Sequence, residues 1–474
     1  MSLTLKPYPE YIASELPWVG KLPSHWKKER AKWLFERMQR PVRPEDGVVT
    51  CFRDGMVTLR RNRRLDGFTE SLKEIGYQGM RRGDLVIHAM DAFAGAIGVS
   101  DSDGKGTPVY SVCAPRAELN VHYYANIVRE MARSQWIAAL AKGIRERSTD
   151  FRYEAFANEW LPFPPIDEQE AIALFIQLVD SKTKRLIRAK RRMIELLNEQ
   201  KQAIIRQTVK CGINSGVLLK HTGISWLGDI PEHWAVWQIG HFAQVGNGST
   251  PSRGKASYWA NEGFPWLNSG TVNEGVIKVA SQFVTPVALK ECHLPLVPPG
   301  SILMAITGQG KTRGTSAILE IEATINQHIA FITPQNKLVS ADYLHAQLTA
   351  AYPTLRLISS ASGSTKGALT CGDIKHFNVA VPPLAEQKDI VNAVRLETSQ
   401  VDVAVERAHK EIDVLREYRT RLIADVVTGR LDVRGVELPE LENAEEIEPL
   451  SDVADEELED SEELVAADGG ADAD

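Results

Sequence analysis

The sequence lacks the features that would assign it to a membrane, secreted or zinc-binding class. No apolar run reaches the roughly 18 residues needed to span a bilayer. The opening residues, MSLTLKPYPEYIASELPW, show no basic segment followed by an apolar one, so we expect no secretory signal and a cytoplasmic location. The 5 cysteines are scattered without a CxxC pair. That pattern is typical of thiols packed in a reducing compartment rather than of disulfides or zinc ligands.

The C-terminal segment has no positive charge, and this changes the meaning of the overall net charge of −7. Between residues 437 and 474 there are 17 Asp and Glu but no Lys or Arg, so residues 1–436 carry 55 basic and 45 acidic side chains. An acidic, aromatic-free tail of this kind predicts disorder, because it offers little apolar surface to bury. The tail is either a solvated extension without a role or a segment with a regulatory or interaction role, and the basic body favours a polyanion as partner.

The chain of 474 residues is long enough for several domains, and it contains an internal repeat. The segment Trp18–Trp26, WVGKLPSHW, recurs at Trp226–Trp234 as WLGDIPEHW. The segment Phe163–Gln169, FPPIDEQ, recurs at Val381–Gln387 as VPPLAEQ. Between these anchors the halves diverge, apart from a glycine-opened apolar strand at Gly83 that is repeated at Gly300. Two similar frames therefore carry two different fillings, which we interpret as the parts that discriminate between targets.

A long helix is predicted after each Pro-Pro pair, with acidic residues in its first turn. Apolar residues at alternating spacings of three and four indicate a heptad seam in each helix. The seam positions are Val405, Ala408, Ile412, Leu415, Leu422 and Val426 in the second copy and Ile187, Lys190, Ile194, Leu197, Ile204 and Thr208 in the first. Lys201 and Arg419 occupy the same interior seam position. Each stripe could pack on its own domain, but two copies in phase favour a helix pair.

The order of the repeat predicts how such a pair would run. The first helix leads from the first filling to the second, and the second helix would return, so we expect an antiparallel pair with a globular domain at each end. After the second helix the chain stops short of another WLGDIPEHW copy, and the matching segment stands at the N-terminus instead. The repeat is therefore circular, and it predicts a pseudo-two-fold object.

These elements together resemble the DNA-specificity subunits of type I restriction-modification systems, over essentially residues 15–432. The residues that carry the resemblance are GKLPSHW and GDIPEHW, the two PPxxEQ helix starts, Gly248–Lys255 (GSTPSRGK), Phe264–Gly270 (FPWLNSG) and Ser362–Gly367 (SGSTKG). The first half has no GSTP or PWLNSG segment, so its contact residues are assigned from charge and position alone.

The resemblance implies a mixed α/β (α+β) fold with two target-recognition domains joined by a long antiparallel two-helix coiled coil. The implied domains are residues 1–26, an N-terminal segment that completes the circular repeat; 27–163, the first recognition domain; 164–234, the first helical region with the segment leading onward; 235–381, the second recognition domain; 382–436, the second helical region; and 437–474, the acidic tail.

The resemblance also implies a function in which this chain catalyses nothing. It would read a bipartite, asymmetric site on double-stranded DNA for two modification (methyltransferase) subunits and for motor-nuclease restriction subunits, with no membrane involved. S-adenosylmethionine, ATP and Mg would bind the partner subunits, and no cofactor would bind this chain. The sequence accords with this division, because it has no Asn-Pro-Pro-Tyr or Asp-Pro-Pro-Tyr methylation motif, no FxGxG loop and no HExxH motif.

Basic and hydroxyl side chains on predicted loops are the candidate DNA contacts, because guanidinium groups suit phosphates and guanine edges. In the first half they are Arg60, Arg61, Arg63, Arg64, Arg81, Arg82, Arg145 and Arg147. In the second half they are Ser249, Thr250, Ser252, Arg253, Lys255, Asn268, Ser269, Lys311, Arg313, Ser364, Thr365 and Lys366. Each cluster could also be an ordinary solvated turn.

Two other functions compete with DNA recognition. Residues 305–312, AITGQGKT, satisfy a permissive phosphate-loop pattern, which would require a helix to follow. Residues 316–333, SAILEIEATINQHIAFIT, instead predict strands, which argues against nucleotide binding. The other alternative is a coiled-coil scaffold that presents two divergent protein-binding modules. Salt distinguishes it, since DNA binding weakens steeply with ionic strength.

Overall fold

The computed structural model describes residues 5–63, 75–140, 150–214, 216–308, 311–335, 338–361 and 367–436. The chain divides into two units, the first made of residues 1–190 and 410–474 and the second of residues 191–409. Each unit therefore contains one globular region and one stretch of each of the two long helices.

The first unit is a mixture of short strands and helices. In chain order these are β1 (Tyr11–Leu16), β2 (Val19–Pro23), β3 (Lys27–Arg30), α1 (Ala31–Leu34), β4 (Phe35–Arg37), β5 (Val49–Cys51), β6 (Val57–Leu59), β7 (Gln78–Met80), β8 (Leu85–His88), β9 (Ile97–Val99), β10 (Gly104–Gly106), β11 (Tyr110–Pro115), α2 (Val121–Arg133), α3 (Trp136–Leu140), α4 (Tyr153–Asn158), β12 (Trp160–Phe163) and the start of α5 (Ile166–Cys211).

The second unit has the same kind of composition. After α5 come β13 (Leu219–His221), β14 (Asp229–Pro231), β15 (Ala235–Gln238), β16 (Ala243–Asn247), β17 (Trp259–Ala260), β18 (Phe264–Leu267), β19 (Val276–Ile277), β20 (Gln282–Val284), α6 (Pro286–Glu291), β21 (Ser301–Ala305), β22 (Ser316–Leu319), β23 (Thr324–Ile325), β24 (Ile329–Pro334), α7 (Ala341–Ala350), α8 (Tyr352–Ala361), α9 (Cys371–Lys375), β25 (Asn378–Val381) and α10 (Leu384–Val427). The predicted mixed α/β class and the two long helices are confirmed.

Each unit is built on an antiparallel sheet of equivalent topology. The order is β4-β11-β8-β9 in the first unit and β16-β24-β21-β22 in the second, where β19 adds a parallel edge strand. The central strands β8 and β21 carry the buried apolar runs. Gly83 and Gly300 open these strands with φ of 90° and 81°, and their N–H groups bond to Ser100 and Leu319 across the sheet. The strand echo predicted from the sequence is therefore a real structural equivalence.

The first set of sequence anchors meets at one buried carboxylate. Glu168, in the first turn of α5, has a side chain that is 4% exposed. Its Oε2 accepts hydrogen bonds from Trp26 Nε1 at 2.8 Å and from Tyr8 OH at 3.1 Å. Its Oε1 lies 2.6 Å from His25 Nε2 and 3.4 Å from Arg434 Nη1. The His-Trp and Glu-Gln anchors, 142 positions apart, are thus partners in one cluster.

The second set of anchors forms the same cluster in the second unit. Glu386 Oε1 accepts from Trp234 Nε1 at 3.0 Å, and its Oε2 lies 2.9 Å from His233 Nε2. The side chain of Glu386 is more exposed, at 28%, than the 4% of Glu168. The repeat seen in the sequence is therefore a repeat of side-chain bonding.

The glutamine of each PPxxEQ motif anchors backbone that would otherwise be unpaired. Gln169 Nε2 donates to the Pro164 carbonyl and Gln387 Nε2 donates to the Pro382 carbonyl, both at 2.9 Å. Each Oε1 accepts, at 2.9 Å, from the N–H of the residue that caps a helix in the same unit. Both glutamines are almost fully buried, which explains why the repeat retains this residue with the adjacent prolines.

Those two capping residues, Asn120 of α2 and Ser340 of α7, extend the repeat beyond what the sequence showed. Each accepts a hydrogen bond from the N–H of a tyrosine three residues later, Tyr123 or Tyr343. Both tyrosines are fully buried. The sequence could not show this equivalence, because an asparagine cap in one copy is replaced by a serine cap in the other.

The long helices pair antiparallel within the first unit. Arg419 Nε on α10 bonds to Asp180 Oδ1 on α5 at 2.7 Å, and Lys190 Nζ on α5 bonds to Glu411 Oε2 on α10 at 2.6 Å. Residue numbers rise along one helix as they fall along the other. The predicted charged seam position at 419 is therefore satisfied by an acid on the facing helix.

The same direction holds within the second unit, where Lys201 Nζ bonds to Asp402 Oδ1 at 2.5 Å and Gly212 at the end of α5 lies beside Glu386 of α10. The predicted seam is confirmed as an interface: Ile187, Thr208, Ala408, Ile412 and Val426 are buried, and Lys190, Ile194, Leu197, Ile204, Val405, Leu415 and Leu422 are half-buried.

The circular closure of the repeat appears in the first unit. The hairpin β1–β2 pairs Tyr11 with Pro23, and the hairpin β13–β14 pairs Leu219 with Pro231 at the equivalent positions. The N-terminal segment also bonds to the chain that follows α10, through Tyr11 OH to the Arg430 carbonyl at 2.9 Å. The hairpin of residues 11–23 thus lies beside the chain that follows α10, as the equivalent hairpin of residues 219–231 follows α5 in the sequence.

Candidate nucleic-acid interface

Loops of the second unit converge at one edge of its sheets. Strands β16 and β21 both run antiparallel to β24, so they end at the edge where β24 begins. Strand β18 is parallel to β23 and ends beside it. The Ser249 N–H bonds to the Ile325 carbonyl, and the Asn326 N–H bonds to the Leu267 carbonyl, both at 3.0 Å. This brings together the GSTP and PWLNSG segments, which are separate in the sequence.

Gly248 is required by this convergence. A Cβ on Gly248 would lie 1.8 Å from the Ile325 carbonyl oxygen, so a side chain cannot fit between the two loops. The adjoining Ser249 and Ser252 use their carbonyl oxygens to accept bonds from Trp266 Nε1 at 3.2 Å and Trp259 Nε1 at 3.1 Å. Two indoles therefore hold the loop, and the side chain of Ser252 is exposed.

Arg253 lies against the same two tryptophans. Its guanidinium carbon is 4.2 Å from the Trp259 ring centre and 5.3 Å from that of Trp266. Its Nη2 donates to Gln282 Oε1 at 3.0 Å. These contacts hold the guanidinium against the two rings while the residue remains exposed, an arrangement suited to a phosphate or a guanine edge.

Lys255 is more strongly engaged inside the unit than its sequence context suggested. Its Nζ bonds to Glu291 Oε2 at 2.7 Å and to Tyr258 OH at 2.8 Å. The bond to Glu291 raises the pKa of Lys255, and the same bond lowers the pKa of Glu291. The pair neutralises itself locally, so Lys255 adds less to the field of this edge than its formal charge implies.

A chain of polar side chains crosses this edge, and of its members only Thr250 is predicted from the sequence as a DNA contact. Thr250 Oγ1 bonds to Gln327 Oε1 at 2.5 Å, and Gln327 Nε2 lies 3.1 Å from His328 Nε2. His328 Nδ1 lies 2.7 Å from Thr307 Oγ1. Gln327 and His328 could have been identified as an interruption of polar residues within an otherwise apolar, strand-forming stretch.

The other predicted contacts of this edge have mixed environments. Asn268 uses its side chain to accept from the Gly270 N–H at 2.9 Å, and the half-buried Ser269 follows it in the same 3₁₀ turn. Lys311 is exposed, and its carbonyl is held by Tyr352 OH at 2.6 Å. Arg313 is only 7% exposed and donates to the Gly367 carbonyl, so the structure gives it a role in holding its loop.

The phosphate-loop alternative is not supported by the local fold. The chain after Lys311 forms a turn and then β22, instead of the helix whose N-terminus would hold a phosphate. The predicted strands in residues 316–333 are present as β22, β23 and β24.

In the first unit the arginine run separates into exposed and buried members. Arg63 has a side chain that is 3% exposed, lies 3.1 Å from Asp54 Oδ2 and stacks 4.1 Å over the Phe52 ring. Arg60 is half-buried, with its Nε 3.4 Å from Thr50 Oγ1. Arg61 is exposed.

A similar division holds for the arginine pair before β8. Arg81 Nη1 bonds to Asp46 Oδ1 at 3.2 Å and to the Gly104 carbonyl at 3.2 Å, with the side chain 15% exposed. Arg82 is exposed, and its backbone N–H bonds to Asp103. Contact of these residues with DNA stays a prediction, but the structure separates structural from accessible guanidinium groups.

Several predicted contacts lie outside the described residues. They are Arg64, Arg145, Arg147, Ser364, Thr365 and Lys366. Within the described ranges, no group of His, Cys, Asp and Glu is arranged to hold a metal ion. No helix in those ranges is long and apolar enough to cross a membrane.

Comparison with known proteins supports the class that the fold defines. Residues 231–396 match the family model of the Type I restriction modification DNA specificity domain. The chain is 26% identical over 437 residues to a putative type I restriction enzyme MjaX specificity subunit of Methanocaldococcus jannaschii, covering 88% of this chain and 96% of that protein. The MjaIX specificity subunit of the same organism is 29% identical over 199 residues, which is 41% of this chain and 44% of that protein.

Among solved structures, a chain from work on complex assembly and conformational transition of the type I R-M system has a TM-score of 0.61 at 15% identity, covering 86% of this chain and 98% of that one. The class is thus a mixed α/β protein with two units and a long connecting helix. The chain is thus similar over most of its length to a type I restriction enzyme specificity subunit, and part of its second half matches the DNA specificity domain model.

Proposed function

We propose that this chain recognises DNA for a type I restriction-modification complex, reading a bipartite, asymmetric site with one recognition domain on each half. The observation that carries the proposal is the end-to-end similarity to a specificity subunit, combined with a duplicated frame. Because the frame repeats its side-chain bonding while the fillings differ, the two fillings present different surfaces. Two different surfaces would read two different half-sites.

The duplicated frame also supports the partner assignment. Two modification subunits would dock on the two equivalent frame regions, and motor-nuclease restriction subunits would join this assembly. S-adenosylmethionine, ATP and Mg would be held by those partners, which transfer the methyl group to adenine and cleave DNA. The complex would act on double-stranded DNA in the cytoplasm.

Genome-wide mapping of methylated adenine by single-molecule sequencing tests the proposal. The source strain is compared with a strain that lacks only this gene and with the same strain after the gene is restored. We expect one bipartite motif, with a fixed gap and an adenine on each strand, to lose methylation and regain it on restoration. Survival of every methylated motif, in a strain that expresses this protein and its methyltransferase, would contradict the proposal.

A salt titration of the purified complex provides an independent measurement. DNA affinity should fall steeply with ionic strength, because each phosphate contact releases counterions, and the specific site should stay tighter than a scrambled duplex. A protein scaffold that binds through apolar surface would show no such dependence.

A further inference from the structure

The polar chain at the loop edge of the second unit holds one side-chain amide in a fixed orientation. Gln327 lies in the short connection between β23 and β24 and is exposed. The connection itself is rigid, because the buried Asn326 side chain accepts from the His328 N–H at 3.0 Å. A glutamine with two hydrogen-bonding neighbours on such a connection has far less conformational freedom than an ordinary surface glutamine.

The direction of the hydrogen bonds can be assigned from the donors present. The Thr250 hydroxyl donates to Gln327 Oε1, and Gln327 Nε2 donates to His328 Nε2. The proton of neutral His328 then lies on Nδ1, which donates to Thr307 Oγ1. Partial burial lowers the pKa of His328, which favours this neutral form. Every member of the network has a compatible role in this single arrangement.

This arrangement leaves defined groups of Gln327 for an outside molecule. Its Oε1 has a second lone pair and its Nε2 has a second N–H, and within the described part of the chain neither is used. An amide with one acceptor and one donor side by side matches adenine in the major groove, where N6 donates and N7 accepts. Guanine offers two acceptors at that edge, so the same amide would pair with it less well.

The surroundings favour DNA as the molecule that meets this amide. Ser249 of the same loop edge is bonded to Ile325, two residues before Gln327, and the stacked guanidinium of Arg253 extends from that loop. Exposed Lys311 follows β21 at the same edge. A fixed neutral amide beside accessible cations combines a base-reading group with phosphate-binding groups.

We propose that Gln327 reads an adenine in the half-site bound by the second recognition domain, and that Thr250 and His328 are positioning residues that orient its amide. This inference rests on the proposed function, since it names the base that one residue of this surface reads. It gives the second half-site at least one A·T pair whose identity depends on a single side chain.

The test replaces Gln327 with Met, which keeps the length of the side chain and removes the amide. The matched control is Gln335→Met, since Gln335 is also a glutamine and follows the opposite end of β24. Each variant and the unchanged gene are placed in the deleted strain, and methylated adenines are mapped. We expect Gln327→Met to relax one A·T position of one half-site, with discrimination there falling on the order of 10- to 100-fold. The rest of the motif should stay unchanged, and Gln335→Met should match the unchanged gene.

The outcomes separate the two proposals. If the unchanged gene restores no motif, the proposed function fails. If it restores a motif that Gln327→Met leaves intact, relaxes at a G·C pair or weakens evenly at all positions, the adenine assignment is overturned. Thr250→Val is a second variant that retains Gln327. We expect it to relax the same A·T position by a smaller factor, whereas a role limited to stability would lower methylation evenly.

Discussion

The carboxylates of the two frame clusters offer a comparison inside one chain, because Glu168 and Glu386 occupy equivalent positions with different surroundings. Among the described residues, Glu168 has four bonding partners and a side chain that is 4% exposed, and Glu386 has two and is 28% exposed. We predict that Glu168→Gln destabilises its unit more than Glu386→Gln destabilises the other. The two substitutions are chemically identical, so the difference isolates the surroundings.

The size of the difference follows from the hydrogen bonds. In Glu386→Gln the new amide oxygen can still accept from Trp234, while its NH₂ group can donate to His233 in the other tautomer. We expect a cost of about 1 kcal/mol, mostly from the lost charge. In Glu168→Gln the oxygen can serve Trp26 and Tyr8, but the NH₂ group then faces both His25 and Arg434.

A histidine can change tautomer to accept a proton, whereas an arginine cannot. Arg434 would therefore face a donor, and a charge-assisted bond would be lost. Arg434 is 42% exposed and also bonds to Asp432, so the additional cost is reduced by solvent and by that second partner. We expect about 1.5 kcal/mol beyond the cost at Glu386.

Hydrogen exchange read by mass spectrometry measures the two units separately. Glu168→Gln should accelerate hydrogen exchange in peptides from the first turns of α5. That acceleration should be roughly ten times larger than the one that Glu386→Gln causes in peptides from the first turns of α10. Glu170→Gln is the control, since Glu170 is exposed and lies two residues after Glu168 on the same helix. Equal accelerations, or a larger one at Glu386, would refute the reasoning that four partners make the first carboxylate more important.

Four further predictions concern charge, burial and hydrogen bonding. Arg63→Ala should lower the free energy of unfolding, measured by urea melts, by about 2 kcal/mol because its ion pair with Asp54 is lost. Arg61→Ala should instead reduce the slope of log DNA affinity against log salt concentration by about 1. Burial lowers the pKa of His345 from 6.5 to about 4, so between these pH values the unfolded chain binds a proton that the folded chain does not. The free energy of unfolding should therefore rise by up to about 3 kcal/mol as the pH increases from 4 to 6.5, and urea melts of His345→Gln should lack this rise. Gln387→Leu should cost about 3 kcal/mol in the same melts, because backbone groups lose their partners, and a cost below 1 would contradict that view.

The frame was predictable from the sequence because its physics is local and repeated. The Pro-Pro pairs fix where α5 and α10 start, and the heptad spacing places Ala408 and Ile412 on a buried face. The repeat added independent evidence, since a chance stripe would not recur in phase. The carboxylate clusters were not predictable, because a sequence gives no distance between a Trp and a Glu 142 positions apart.

The loop edge of the second unit was predicted only in part, for a different reason. Ser249 and Ser252 were predicted as hydroxyl donors, yet it is their backbone carbonyl groups that accept hydrogen bonds from the two tryptophans. Gln327 is not among the predicted contacts, because a polar residue between two strands usually belongs to an ordinary turn. Its importance depends on Thr250, 77 positions earlier, which the sheet order alone brings within hydrogen-bonding distance.

The arginine run shows why charge in a sequence is a poor guide to an interface. Arg61 and Arg63 are two positions apart and chemically identical, but residues 60–62 form a 3₁₀ turn that ends at Arg63, and with three residues per turn side chains two positions apart point in different directions. One is exposed, and the other covers Phe52 and pairs with Asp54. A buried arginine stabilises the loop, and an exposed arginine is accessible to a ligand. A count of basic residues in the sequence does not distinguish these two roles. The sequence lists every cation, and only the fold determines which of them remain accessible after the structural ones are paired.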